Sequence, residues 1–468
     1  MAEKTAAKTA DQLRALLIPL ALAQFICSFA GSNMNVMIND ISKDLNTTVE
    51  GVQLAITLFL LIMAALMIPG GKLTDKYGRK PCLMVGLALY GIGALLSAVS
   101  QNLPLLIIGN SIFEGVGTAL LIPPVYILTT LVFTTTASRA KAFGAISAAG
   151  GVGAATGPLI GGFLTTAFSW RTAFLFQVLI IAIIWMLSRK RVVDPLPADP
   201  DRPFDSWGAV LSAVGLVLLV SGIMVADNNF VLCLLMVVAG ALVLVGFFAW
   251  VRRAEQAGKE PLLSTSLFKN RVSNLGLITQ NTQWMLLIGA SFVVSAYLQV
   301  VRGYNAIETG VIFTATTVGV LLSSLAAGRM AKRRSQRTLI LVGFLIAIPG
   351  VAILLAMVAG SPSAWAFGPG LFLIGLGLGA MLTPSVNVVQ SSFGEERQGE
   401  ISGLSRSISN LGSSLGTAIG GTILVAGITS TPGRSYALAM IVLALISLVG
   451  LVAAWKLPHT PAPRPVAR

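Results

Sequence analysis

Charge is scarce in this chain. Only 11% of its 468 residues are Asp, Glu, Lys or Arg, while 55% are apolar; an ordinary soluble domain carries about 25% charged residues. A soluble fold of this composition would have too little polar surface to stay dispersed, which excludes that class. Histidine is nearly absent. His459 stands alone, in the tail after the last apolar run, and that position excludes a histidine proton relay or a histidine metal site. Cys27, Cys82 and Cys233 lie far apart, two of them inside apolar runs, so neither a disulfide framework nor a metal spacing is visible. No Gly-rich loop followed by Lys-Ser or Lys-Thr is present, which argues against ATP-driven chemistry. Nor is there a Ser/His/Asp or paired-carboxylate constellation, so the chain reads as a non-enzyme with no catalytic residues and no resident metal.

The charge that does exist is basic, +14 in sum. It falls in short clusters between apolar runs, with no basic stripe along an amphipathic face, and this excludes a nucleic-acid partner. The partner it fits is the anionic surface of a lipid bilayer. A helix needs about 20 apolar residues to cross the hydrocarbon core. Runs of that kind span 14–38, 51–70, 81–100, 104–133, 141–167, 171–188, 206–226, 229–251, 272–301, 306–329, 338–358, 365–391, 401–428 and 435–456. The first is too long for the apolar part of a signal peptide and is expected to be retained. With the N-terminus placed in the cytoplasm, only Lys43, Arg171, Arg302 and Arg434 fall on the far side. This bias predicts fourteen spans with both termini cytoplasmic, in a bacterial inner (plasma) membrane.

The chain repeats itself. Gly115-Val116-Gly117 in span 4 matches Gly375-Leu376-Gly377 in span 12, and Pro124 matches Pro384. Gly153, Gly157, Gly161 and Gly162 in span 5 match Gly412, Gly416, Gly420 and Gly421 in span 13. Gly71 matches Gly328. These offsets, 257 to 260 residues, predict two six-helix bundles related by a pseudo-twofold axis. Residues 1–190 would form the first and 261–468 the second, with 191–260 a linker carrying two inserted helices. Parallel repeats about an axis along the membrane normal build transporters, with a central cavity between the bundles. One chain encloses such a cavity, so a monomer is expected.

After span 2 the sequence reads Gly71-Lys72-Leu73-Thr74-Asp75-Lys76-Tyr77-Gly78-Arg79-Lys80. Read as a loop, it has a physical logic. Gly71 allows close approach, Asp75 can pair with a cation or meet a helix N-terminus, Gly78 permits a turn, and Arg79 and Lys80 face the anionic surface. The segment closely resembles the signature between helices 2 and 3 of the major facilitator superfamily. Gly157-Pro158-Leu159-Ile160-Gly161-Gly162 in span 5, together with Gly153, resembles the antiporter motif of its exporting branches. Trp170-Arg171-Thr172-Ala173-Phe174-Leu175, Pro261-Leu262-Leu263, Leu267-Phe268-Lys269-Asn270-Arg271, Tyr297-Leu298-Gln299 and Gly310 are similar to stretches of the fourteen-helix drug:proton antiporter branch. The resemblance implies a major facilitator fold and alternating-access efflux of an amphipathic or lipophilic small molecule. Protons would be the coupling ion, with no other cofactor. It implies a switching role for the segment around Asp75 and a moving interface at span 5.

Two departures bear on coupling. Where the family usually carries an Arg in helix 4 this chain has Ser111, with Glu114 at a position often held by Gln. Where it tends to carry an Asp in helix 1, alignment on Asn35-Val36 places Ala30. Glu114 is therefore the proton-coupling candidate. It lies about ten residues into span 4, roughly 15 Å deep at 1.5 Å per residue. A carboxyl at that depth is costly unless it is protonated or faces a wet cavity; a purely structural carboxyl bonded to a neighbouring helix is the other reading. Polar side chains at lipid depth face the protein interior. Cavity candidates are thus Gln24, Asn33 and Asn35 in span 1, Gln280, Asn281, Gln283 and Trp284 in span 9, and Tyr126, Asn387, Gln390 and Arg406 in spans 4, 12 and 13. Arg406 would either snorkel to the surface or attract an anionic substrate. The missing acid and Arg also leave room for a differently coupled facilitator or importer, or a lipid-handling protein on the same scaffold.

Overall fold

The computed structural model describes residues 2–133, 136–195, 198–330, 334–360, 363–394 and 397–458; His459 lies outside them. Among the described residues, fourteen helices are long and apolar enough to cross a membrane. They are α1 (Ala15–Val36), α2 (Val49–Tyr77), α3 (Arg79–Ala98), α4 (Leu103–Val132), α5 (Lys141–Ala167), α6 (Trp170–Arg191), α7 (Ser206–Met224), α8 (Phe230–Gln256), α9 (Arg271–Val301), α10 (Ala306–Ala327), α11 (Gln336–Ala356), α12 (Trp365–Gln390), α13 (Gly399–Val425) and α14 (Pro432–Trp455). The breaks between them are short and polar, and they supply caps. Thr48, Asn102, Ser169, Asp205, Asn229 and Asn270 each accept a hydrogen bond from a backbone N–H in the first turn of the helix that follows, satisfying donors that the helix leaves orphaned.

One boundary corrects the sequence reading. Gly71–Tyr77 is not loop but the last two turns of α2, which ends at Gly78 with φ +95°. Hydropathy fails at Lys72 while the helix continues beyond it, since hydrogen bonding does not stop where the lipid does.

The two halves repeat contact for contact. α5 packs on α1 with Gly153 against the Phe25 carbonyl and Gly157 beside the Phe29 carbonyl. α13 packs on α9 with Gly412 against the Asn281 carbonyl and Gly416 against the Met285 carbonyl. Likewise Gly117 lies on the backbone of Gly86 and Tyr90, and Gly377 on that of Gly343 and Ala347. Small residues let backbones approach where lipid supplies no hydrophobic drive between helices. The inserted pair stands apart from this symmetry. α7 and α8 pack on each other through Gly215 and Gly240. Val220 of α7 is buried with Leu61 of α2 and Ala418 of α13, so α7 covers the line where the two halves meet.

That line, the α2–α13 seam, is closed along its length. From the basic face, which carries Gly78, to the opposite face, the links are Lys72–Glu400 (3.7 Å), Ser407 to the Ala64 carbonyl, Ser414 to the Thr57 carbonyl, and Gln53 to the carbonyls of Thr417 and Ala418. The symmetry-related α5–α10 interface is closed only in part. Gly162 abuts the Ala306 carbonyl, Gly310 the Pro158 carbonyl, and the Ile307 amide donates to Thr166. Thr317 donates to the Ala155 carbonyl near mid-depth. Nearer the basic face, Gly151 and Gly144 border open space. The contacts between α5 and α10 thus lie on the opposite face and near mid-depth, and nearer the basic face Gly144 and Gly151 have room beside them.

Candidate functional site

Glu114 is fully buried. The stretch Ile107–Glu114 of α4 winds as a π-helix, a geometry that recurs at functional positions. Gly93 of α3 makes room for it, because a Cβ there would meet the Glu114 amide and Cγ closer than 3 Å. The carboxyl accepts a hydrogen bond from Ser97 at 3.4 Å through Oε1, while Oε2 has no partner. Tyr90 of α3 is also fully buried. Its hydroxyl donates to Gln177 Oε1 of α6 at 2.5 Å and lies 3.5 Å from the Ile26 carbonyl of α1. Cys27 of α1 donates to Thr118 of α4 beside this cluster. The acid thus sits inside the N-terminal bundle, among α1, α3, α4 and α6. Ser111, in place of the expected Arg, donates to the Ala55 carbonyl and does no more than tie α4 to α2.

A second cluster spans the two halves. Arg406 of α13 donates to the Tyr126 hydroxyl of α4, and its guanidinium lies 4.5 Å from the centre of that ring. Tyr126 donates to Gln24 Oε1 of α1 at 3.1 Å and stacks on Phe143 of α5. Arg406 therefore does not snorkel. An aromatic face and a hydroxyl across the interface hold it more firmly than a reach to water would. Together these groups offer a cation, an aromatic wall and an amide between the bundles, on the side where Gly144 and Gly151 border open space.

The remaining cavity candidates divide. Asn35 lies at the closed face, where its carbonyl accepts from Ser295 and from Gln299 of α9; Gln299 Oε1 accepts from the Asn39 amide. Asn33 is fully buried against Gly161, with both side-chain polar atoms unpartnered. Gln280 accepts from Ser405, Gln283 from Ser385, and Asn281 donates to the Ile408 carbonyl, so these three join helices. Gln390 reaches Ser402, Asn387 is exposed, and Trp284 is half-buried.

The segment around Asp75 is rearranged relative to the sequence reading. Close approach belongs to Gly70, whose Cβ would strike the Ala119 carbonyl, whereas Gly71 has ordinary room. Asp75 pairs with Arg79 and with Arg202. Asp194 is the group that meets the N-terminus of α3, accepting from the Arg79 and Lys80 amides. Arg79 is buried against Asp75 and so does not face the surface, and Lys80 donates to the Arg189 carbonyl. Lys72 pairs with Glu260 at 2.8 Å, and Arg202 pairs with the same Glu260 at 2.9 Å. Burial works to raise the Glu260 carboxyl, yet hydrogen bonds from Arg202 and Lys72, and their charges, outweigh it and hold the group below the ordinary carboxylate range. The sequence reading missed Tyr90, Gln177, Phe143, Arg202, Glu260 and Asp194. A lone Tyr or Gln in an apolar run was the available signal for the first two; linker charges carry none.

The sequence pattern of the Major Facilitator Superfamily matches residues 20–417. The puromycin resistance protein pur8 of Streptomyces alboniger is 28% identical over 412 residues, 87% of this chain and 81% of that protein. The multidrug resistance protein Stp of Mycobacterium tuberculosis is 26% identical over 418 residues, 89% of this chain and 76% of Stp. In architecture the chain resembles the crystal structure of the peptide transporter POT with sulfate, at a TM-score of 0.69 and 15% identity over 95% of both chains.

Proposed function

The chain belongs to the major facilitator superfamily and is a multi-pass secondary transporter, not an enzyme; from that premise we propose that it exports amphipathic small molecules in exchange for protons. The basic face is the cytoplasmic one, and the arrangement described is the one open toward it. Substrate enters between the halves on the α5–α10 side and meets Tyr126, Phe143, Gln24 and Arg406. Resistance relatives support a drug-like substrate, and the aromatic wall of this cluster fits the apolar part of one.

Glu114 carries the coupling half of the reading. It is a wholly buried acid with one oxygen unpartnered and no ion-pair partner among the described residues, and a carboxyl held so at membrane depth is the kind of group that relays protons. The test is flux of a panel of amphipathic dyes in everted vesicles under an imposed pH gradient. Glu114→Gln should lower gradient-driven flux at least tenfold while leaving dye exchange down its own gradient intact. Unchanged gradient-driven flux would refute the role. Ala30 and Ser111, standing where the family carries an acid and an Arg, favour one other reading, a facilitator without proton coupling. It predicts wild-type flux that ignores the pH gradient.

A further inference from the structure

Where α11 begins and α14 ends, on the basic face, a groove of about 410 Å³ lies between the two helices, the size of a small-molecule site. It is lined by Leu341 and Leu345 of α11 and by Leu451, Val452 and Trp455 of α14. Leu341 and Leu451 are half-buried and form its floor, packed on the core. Leu345, Val452 and Trp455 are exposed and form its rim. We propose that this groove seats an anionic phospholipid of the leaflet on the basic face, an acyl chain along the leucines and the phosphate against Arg337 and Lys456. The proposal does not depend on export or on Glu114.

The order of side chains along both helices matches a lipid read from head to tail. Arg337, Leu341 and Leu345 are spaced by four and share one face of α11. Lys456 follows Trp455 directly and lies one turn beyond Val452, whose carbonyl accepts from its amide. Trp455 stands at the junction of charge and hydrocarbon, where indoles are favoured. Arg334 and Lys456 are exposed, and Arg337 is half-buried with its Nε unpartnered. None of the three has an ion pair among the described residues. The sequence gives the reason. Arg329, Lys332, Arg333, Arg334 and Arg337 crowd the approach to α11, yet no Asp or Glu occurs between Glu308 and Glu395 or after Glu400.

The repeat supplies a comparison. Gly86 of α3 meets Gly117 as Gly343 of α11 meets Gly377, so Lys80 corresponds to Arg337. In the first half the anion comes from the chain itself. Asp194, three residues past the end of α6, accepts from the Arg79 and Lys80 amides. Three residues past the end of α14 stands Pro458, and the second half supplies no acid there. A phosphate diester is the anion a bilayer offers, and a guanidinium binds it with charge-assisted hydrogen bonds. A zwitterionic lipid brings the same phosphate together with a cation that Arg337 and Lys456 repel, so the charge selects an anionic headgroup.

The test needs no substrate. The full chain, in nanodiscs of phosphatidylcholine, is photolabelled with phosphatidylglycerol or with phosphatidylcholine carrying the same diazirine acyl chain, and labelled peptides are mapped by mass spectrometry. Labelling of residues 341–345 and 451–455 should favour phosphatidylglycerol by about tenfold, as two basic residues at the surface warrant. Arg337→Gln with Lys456→Gln should reduce that preference to less than about twofold. Arg189→Gln with Lys190→Gln, equal in charge and outside the groove, should leave it unchanged. Equal labelling by the two lipids, or a preference that survives the groove variant, shows ordinary annular contact and overturns the site. Loss of the preference in the control variant assigns it to overall charge and overturns the site as well. Displacement of the label by an anionic dye that the protein transports gives the groove to substrate instead of lipid. The comparison of headgroups on the wild-type protein is decisive even where a variant fails to fold. None of these readouts involves flux, so their failure is distinct from failure of the export reading.

Discussion

Arg406 could be placed near the entry of span 13 from sequence, but not its partner. A guanidinium there has two outlets, water or a π-face, and the choice depends on a residue 280 positions away in the chain. The bridge predicts graded effects. Tyr126→Phe keeps the ring under Arg406 and loses the hydroxyl, and should change the melting temperature in detergent only slightly. Tyr126→Ala removes the ring as well and should cost roughly 1–2 kcal/mol. Equal melting of the two variants would show the ring to be idle. Glu114 was legible because an acid within an apolar run is conspicuous on its own. Tyr90 and Gln177 were not, because their meaning comes from three helices converging on one point, and neither residue type is rare in a membrane span.

At the scale of helices, glycine spacing was the most legible feature. Gly153 and Gly412 share a register because each lets one helix lie on a neighbour's backbone, and this demand leaves a mark in sequence. Glycines of the same helix differ in what they do. Gly153→Ala would drive a methyl into the Phe25 carbonyl and should cost about 1–3 kcal/mol. Gly144→Ala borders open space and should gain up to about 1 kcal/mol of helix propensity. Apparent melting temperatures of the two variants should therefore move in opposite directions. The end of α2 was illegible for the converse reason, since nothing in Lys72–Tyr77 stops a helix until Gly78. The linkers were also illegible, because paired charges such as Arg202 and Glu260 look like solvated ones until the chain is folded. Their contribution has a sign in pH. The Glu260 carboxyl is held below its unfolded value, so the stability it brings is complete above the ordinary carboxylate range and is lost as pH falls through the folded value. Glu260→Gln should remove that acid sensitivity from thermal unfolding curves, at a cost below about 1 kcal/mol near neutrality, since both partners are partly exposed.

At the scale of the molecule, twofold repetition of sequence does not bring twofold equality of state. The α2–α13 and α5–α10 interfaces are related by the repeat, yet one is joined from face to face and the other only over its far half. Cysteine pairs introduced across the two should therefore behave differently. A cross-link at Thr57–Ser414, mid-way along α2–α13, should leave dye flux within about twofold of the uncrosslinked protein, whereas one joining the ends of α5 and α10 on the basic face should abolish it. The reverse result would place the opening on the wrong side.

The helix α7 lies along the outside of the joined seam, with Val220 buried between Leu61 and Ala418. Seen from within the bilayer, this makes the protein one-sided. On the export reading, a solute arriving through the acyl chains would find the α2–α13 flank walled by α7, leaving the α5–α10 flank as its lateral approach.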